Sequence, residues 1–223
     1  MRQSGILLHL TSLPSPGGIG TLGKEAYAFV DFLVESGMSI WQVLPISPTG
    51  FGDSPYQSVS TFAGNPLLID LPTLIKEGLM PKVPLKTFGD TPDSVEYGDL
   101  VAGKTLLLKQ AFAYSREKIQ KELYIFRRRQ PWVKDYALFS AIKEHFNLIS
   151  WMDWPDEDVR MRKRAALKHY EELLEDTIAY YTFVQYLFFK QWFALKKYAN
   201  QRGVKLFGDM PIRSEERRVG KEC

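Results

Sequence analysis

Short apolar runs separated by Gly- and Pro-rich loops open the chain, helical periodicity fills its middle, and one more apolar run comes late. Gly5 to Leu10 reads as a first buried strand, Lys24 to Ser36 as a helix, and Ile40 to Leu44 as a second strand, apolar enough to be covered on both faces. Within the helix, Ala26, Val30 and Leu33 recur at helical spacing, and Gly37 follows as its C-cap. Strand, helix and strand in this order predict a βαβ unit and the start of an α/β domain. A further strand, Val204 to Asp209, comes only after a long region of different composition.

That region opens with a short apolar strand at Leu67 to Ile69 and a short helix at Thr73 to Gly78, then a Pro-rich connection through Pro92. Three helical segments follow: Leu100 to Tyr124, Pro131 to Phe146, and Asp156 to Gln201 with a break near His169. Leu174, Ile178, Tyr181, Phe188, Trp192 and Leu195 mark one face of the last segment, interrupted only by Gln185. This stripe, with Tyr180, Phe183 and Phe189, reads as core rather than as a cofactor site. No repeats or low-complexity segments occur.

The loop Thr49-Gly-Phe-Gly-Asp-Ser-Pro-Tyr-Gln-Ser58, running on to Phe62-Ala-Gly-Asn-Pro-Leu-Leu-Ile-Asp70, follows directly on the apolar run Ile40 to Pro45. Long loops in compact domains are either functional or disordered, and the aromatic content here argues against disorder. Tyr and Phe offer flat apolar faces for a sugar ring, while Ser, Gln, Asp and Asn offer the mixed donors and acceptors that hydroxyls require. A rigid turn explains the same residues differently: Pro55 holds Ser54 extended, Asp53 and Ser54 bond their own backbone, and Tyr56 plugs the core edge. Asp209 likewise either caps the Gly208–Pro211 turn or projects a carboxylate from the end of an apolar strand, where barrel enzymes place their chemistry.

Composition narrows the field without adding to it. With 45% hydrophobic and 25% charged residues the chain has an ordinary globular composition, and a net charge of +3 is no nucleic-acid footprint. No apolar run approaches a membrane span and no signal-peptide pattern opens the chain, so the expectation is a cytoplasmic protein. The one cysteine is Cys223, which leaves neither a disulfide nor a thiolate metal site. The three histidines, His9, His145 and His169, lack metal-ligand spacing; His9 sits where a barrel's first strand would present chemistry, or is a satisfied core histidine. Arg127 to Arg129 and Arg160 to Arg164 read as solvated faces rather than a polyanion site. Gly18-Ile-Gly-Thr-Leu-Gly23 matches a dinucleotide fingerprint, but Thr11 to Pro16 separates it from the strand, so the glycines read as a packed strand-to-helix loop.

Gly5-Ile-Leu-Leu-His, Thr11-Ser-Leu-Pro-Ser-Pro16, Trp41-Gln-Val-Leu-Pro45, Gly52-Asp-Ser-Pro-Tyr-Gln-Ser58 and Ala63-Gly-Asn-Pro66 occur in order, joined by Gly208-Asp-Met-Pro-Ile212. Together they resemble the amino-terminal part of the 4-α-glucanotransferases of glycoside hydrolase family 77, over Met1 to Ile212. Gly18 stands where the family usually has Tyr, and Thr21 where it often has Asp. The resemblance implies an α/β fold, an incomplete TIM (β/α)8 barrel carrying a large, mainly helical insertion. Residues 1–70 would begin the barrel with its substrate loop, 71–203 would form the inserted subdomain, and 204–212 the next barrel strand.

It implies a retaining transfer of α-1,4-glucan segments between maltooligosaccharides or starch and glycogen chains, with no cofactor and no metal. Partners would be those glucans, not nucleic acid or membrane; nothing in the residues speaks to oligomeric state. Ser54 and Tyr56 would line the main donor cleft and Asp209 would support the substrate-binding constellation. Phe51 and Tyr97 would match the aromatic pair of a second, remote glucan groove, with Phe51 keeping the stacking face but losing a hydroxyl common there. The family's nucleophilic Asp, acid Glu and further stabilising Asp lie on strands after Asp209, so no catalytic residue is assigned within this chain.

Residues 213–223, Arg-Ser-Glu-Glu-Arg-Arg-Val-Gly-Lys-Glu-Cys, read as translated sequencing-adapter DNA, a non-native tail excluded from fold reasoning. On this view the chain is truncated at Ile212, inactive and poorly soluble alone. Two other functions compete: a noncatalytic glucan-binding module using Tyr56, Phe51 and Tyr97, and a nucleotide-binding protein using Gly18, Gly20 and Gly23.

Overall fold

The computed structural model describes residues 2–50, 53–85 and 94–209. Phe51, Gly52, the Pro-rich stretch 86–93 and the chain from 210, including the tail, lie outside the described residues. Three strands, β1 (Gly5–Leu7), β2 (Ile40–Gln42) and β3 (Lys205–Phe207), form a parallel sheet in that order. Ile6 pairs with Trp41 and Trp41 with Leu206, so these side chains share a face. Helix α1 (Lys24–Glu35) joins β1 to β2 and buries Ala26, Val30 and Leu33 completely. Phe29 of α1 meets Trp41 edge-on at 4.8 Å, and the Trp41 indole donates to the Leu8 carbonyl at 2.8 Å.

Gly37 ends α1 as expected, in the left-handed conformation at φ +69°. Its N–H donates to Val34 O, and Met38 N–H reaches back to Leu33 O, which satisfies two terminal carbonyls. The Gly18-x-Gly-x-x-Gly23 loop is a packing device. A Cβ on Gly20 would run into the Leu10 carbonyl, and one on Gly23 into the Asp70 carboxylate. An acid therefore already fills the space beside the α1 N-terminus where a phosphate would have to sit.

Several expected elements are corrected. Ile40 to Leu44 is buried at Trp41 and Val43 and half-buried at the alternate positions, whereas the first strand is not the buried one expected: Leu7, in one register row with Phe207, is 56% exposed and Phe207 58%. Leu67 to Ile69 is not a strand but part of a 3-10 turn, Pro66–Leu68, because Asn65 Oδ1 accepts from Leu67 N at 2.9 Å and Pro66 fixes the first turn. Helix α2 runs Leu71–Lys76, starting ahead of Thr73, since Asp70 caps it and Pro72 is tolerated in the first turn.

The segment Leu100 to Tyr124 is two helices, α3 (Tyr97–Ser115) and α4 (Gln120–Arg129), separated by a turn in which Lys118 N donates to Ser115 O. Arg116, Glu117 and Lys118 are good helix formers, so nothing local marks this break. Helix α5 (Trp132–His145) follows Pro131 as expected. Asp156 to Gln201 splits into α6 (Glu157–Arg160), α7 (Arg164–Leu173) and α8 (Glu175–Gln201); His169 lies inside α7, and the breaks fall at residues 161–163 and at Leu174.

The chain divides into two compact units, Met1–Tyr114 with the chain from Leu187, and Ser115–Tyr186. In the first unit, the late half of α8 contributes Leu187, Phe188, Leu195 and Ala199 to the core. Gly64 lets the loop backbone approach the Phe188 ring, where a Cβ would collide with it. The second unit closes around Ala137, Leu138, Ala141, Ile142, Trp154, Val159, Tyr170 and Ile178. No helix among the described residues is long and apolar enough to cross a membrane.

Candidate functional site

Because the three strands are parallel, their carboxyl ends lie along one edge of the sheet, and His9 and Asp209 follow the ends of β1 and β3 there. The loop after β2 meets this edge. Tyr56 donates its hydroxyl to Asp209 Oδ2 at 2.7 Å across 153 positions of sequence. That bond, with the acid's negative charge beside it, raises the Tyr56 phenol above its ordinary pKa, so the hydroxyl stays protonated as a donor. The Tyr56 ring is 38% exposed and does not plug the core edge, which corrects one half of the rigid-turn alternative.

The other half of that alternative is met by Ser54, which bonds its own backbone. Ser54 Oγ accepts from Tyr56 N at 3.3 Å, and Gln57 N donates to Ser54 O. Asp53 takes the left-handed conformation at φ +53°, costly for a non-glycine residue and tolerated where the loop must reverse. Ser58 and Ser60 brace the next turn, with Ser60 Oγ accepting from the N–H groups of Phe62 and Ala63. The structure thus brings Ser54, Tyr56 and Asp209 together. Tyr97 opens α3 and packs with Ile19, Leu67 and Leu100. Burial raises its phenol pKa, and the nearby Asp53 carboxylate adds to the shift, so Tyr97 lies close to the same loop. Phe51 lies outside the described residues.

Two side chains at this edge were not expected in the site. A cavity of about 200 Å³ is lined by Val43 to Ile46, Leu206, Gly208 and Asp209, together with Trp192 and Lys196 of α8. Trp192 belongs to the stripe read as core, but it is half-buried with an exposed lysine four residues on, an edge signature legible in the sequence. His9 is half-buried, its Nδ1 has no partner among the described residues, and burial lowers its pKa; among those residues it is not a satisfied core histidine.

A buried scaffold anchors the loop's far end. Gln191 Oε1 accepts from Asp70 N at 2.8 Å and its Nε2 donates to Asp70 O at 3.0 Å, closing a peptide-like pair. Asp70 accepts from Thr21 and from the hydroxyl and N–H of Thr73, while Lys104 donates to Leu67 O at 2.6 Å. Among the described residues, no three His, Cys, Asp or Glu side chains gather as a metal site. The open edge offers the Asp209 carboxylate with the Tyr56 phenol bonded to it, and the Trp192 indole and Lys196 ammonium beside it, a set of acceptors, donors and an apolar face that suits hydroxylated ligands.

A family model described as 4-alpha-glucanotransferase matches residues 8–219. The chain is 44% identical over 215 residues to a 4-alpha-glucanotransferase of Streptococcus pneumoniae, covering 95% of this chain and 43% of that relative. It is 47% identical over 216 residues to a 4-alpha-glucanotransferase of Thermus thermophilus, covering 95% of this chain and 42% of that one. The amylomaltase from Streptococcus agalactiae, solved in complex with acarbose, superposes with a TM-score of 0.92 at 45% identity, over 95% of this chain and 44% of its own. The chain therefore spans less than half the length of these relatives.

Proposed function

The chain belongs to the 4-alpha-glucanotransferases of glycoside hydrolase family 77, and on that premise we propose that it forms the amino-terminal part of an enzyme that moves α-1,4-glucan segments between maltooligosaccharides or starch and glycogen chains. Its sheet begins a (β/α)8 barrel, with residues 1–70 opening it, 71–203 inserted as mainly helical structure and 204–212 returning to the next strand. The enzyme works in the cytoplasm.

The observation that carries this function is the 2.7 Å bond from Tyr56 to Asp209 at the carboxyl edge of the sheet. It engages one carboxylate oxygen and leaves the other to accept from a sugar hydroxyl, while the Tyr56 ring offers a face to the donor sugar. Ser54 fixes the Tyr56 turn. Phe51 and Tyr97 form a second glucan groove. The reaction retains configuration: one carboxylate attacks the anomeric carbon, and an acid protonates the leaving sugar. The 4-hydroxyl of an acceptor then displaces the enzyme. The two carboxyls must stand about 5–5.5 Å apart, and the acceptor must meet the intermediate before water does. Both carboxyls come from the part of the relatives' length that this chain does not span.

The test is transfer between short maltooligosaccharides by a chain joined to that missing part. Tyr56→Ala should lower kcat/KM by about 100-fold or more, the cost of misplacing donor and Asp209 together, whereas Phe51→Ala should change it by less than about threefold. Equal losses contradict the two roles.

A further inference from the structure

A concavity of about 290 Å³ in the second unit is lined wholly by residues of that unit, from α5, the Trp151–Asp153 turn, α6 and α7. We propose that it is a further glucan-binding site, with Trp151 as the platform for a glucose ring and the Arg162–Asp135 pair as the clamp for its hydroxyls. This rests on the glucan reading above and extends it to a surface that reading does not use.

The size is at the lower end of small-molecule pockets, roughly 300 Å³ upward, and suits one or two sugar rings. Its floor is apolar, built by Leu138, Phe139, Ile142 and Trp154. Trp151 is 50% exposed, so its indole face is open to the C–H face of a pyranose. On the same concavity, Arg162 Nη2 lies 3.6 Å from Asp135 Oδ1, both side chains well exposed. A guanidinium that donates beside a carboxylate that accepts matches two neighbouring sugar hydroxyls, each of which does both.

One further feature points the same way. Arg162 holds φ +53°, a conformation in which glycine would be the less costly residue, yet an arginine stands there with its side chain on the pocket. Both guanidinium groups are already engaged within the protein. Arg162 is neutralised by Asp135, and Arg160 Nη1 is tied to the Met152 carbonyl at 2.9 Å, where it also secures the Trp151 turn.

Affinity electrophoresis of the chain joined to the part of its relatives' length that it does not span, through gels with and without amylopectin, tests the site. The wild type should be retarded, Tyr56→Ala should keep the part due to the pocket, and Trp151→Ala and Arg162→Gly should each weaken apparent affinity by about fivefold or more, the scale of one lost stacking or clamp contact. Arg162→Gly relieves the left-handed strain, so its melting temperature should be equal or higher and loss of fold cannot explain loss of binding. Wild-type migration by both pocket variants, or loss in only one of them, overturns the platform-and-clamp site. A wild-type chain indifferent to amylopectin overturns it too. The transfer assay judges the cleft separately, so a failed pocket and a failed family function give different results.

Discussion

Lys104 carries its ammonium into the interior of the first unit, where it is 3% exposed, donates to the Leu67 carbonyl and faces Asp70. Burial pushes its pKa down from 10.5 to about 7, partly offset by Asp70; Lys24 and Glu25 line the cavity beside it. Between those two values the unfolded chain binds more protons than the folded one, so stability should rise with pH from about 7 toward 10. The slope should be on the order of 1 kcal/mol per pH unit, read from urea midpoints at pH 7 and 9.5. Lys104→Met should flatten it; an unchanged slope would show that another group titrates. The tyrosines oppose this slope near its upper end, because those with resolved shifts titrate above their ordinary value when folded and lower stability as their unfolded counterparts ionise near pH 10, so the difference between wild type and Lys104→Met isolates the lysine. Lys104 could have been found from the chain, since it falls in phase with Leu100 and Leu108 on one helical stripe. Tyr56 and Asp209 were legible as residue types with a plausible chemistry. That they bond to each other, 153 positions apart, was not, because no local rule reports a tertiary pairing.

At the scale of elements, sequence reading succeeded where a local signal and the tertiary fold agree. Helix α1, with its Gly37 terminus and its three buried positions, satisfies both. It failed where packing overrides the local pattern: the 3-10 turn at Pro66–Leu68 is apolar enough for a strand, and the break after Ser115 lies among helix formers. The break at Leu174 left a clue in Glu175 and Asp176, acids in the first turn of α8 that favour a helix start there. Two glycines give opposite tests of this account. Gly20→Ala drives a Cβ into the Leu10 carbonyl and should cost about 2 kcal/mol or more, as overpacking does. Gly98→Ala meets open space within α3 and should stabilise by about 0.5–1 kcal/mol through helix propensity. Denaturant unfolding of the two variants measures both; equal effects would contradict the packing assigned to the glycine loop.

For the whole molecule, a parallel sheet normally has both faces covered, yet Leu7 and Phe207 stand exposed opposite the buried Trp41 among the described residues. The 223-residue chain should therefore self-associate, and the pair Leu7→Lys and Phe207→Lys should raise the concentration at which sedimentation velocity still finds a monomer. The sequence motifs reached further than periodicity here, because residues held at a carboxyl edge are set by chemistry as well as by packing. The most direct test of the function is to incubate maltotriose with the chain joined to the part of its Thermus thermophilus relative that it does not span. Transfer predicts glucose and maltopentaose in equal amounts, with Asp209→Asn strongly impaired. Glucose with maltose, the products of hydrolysis, or unchanged maltotriose from a folded fusion would contradict it.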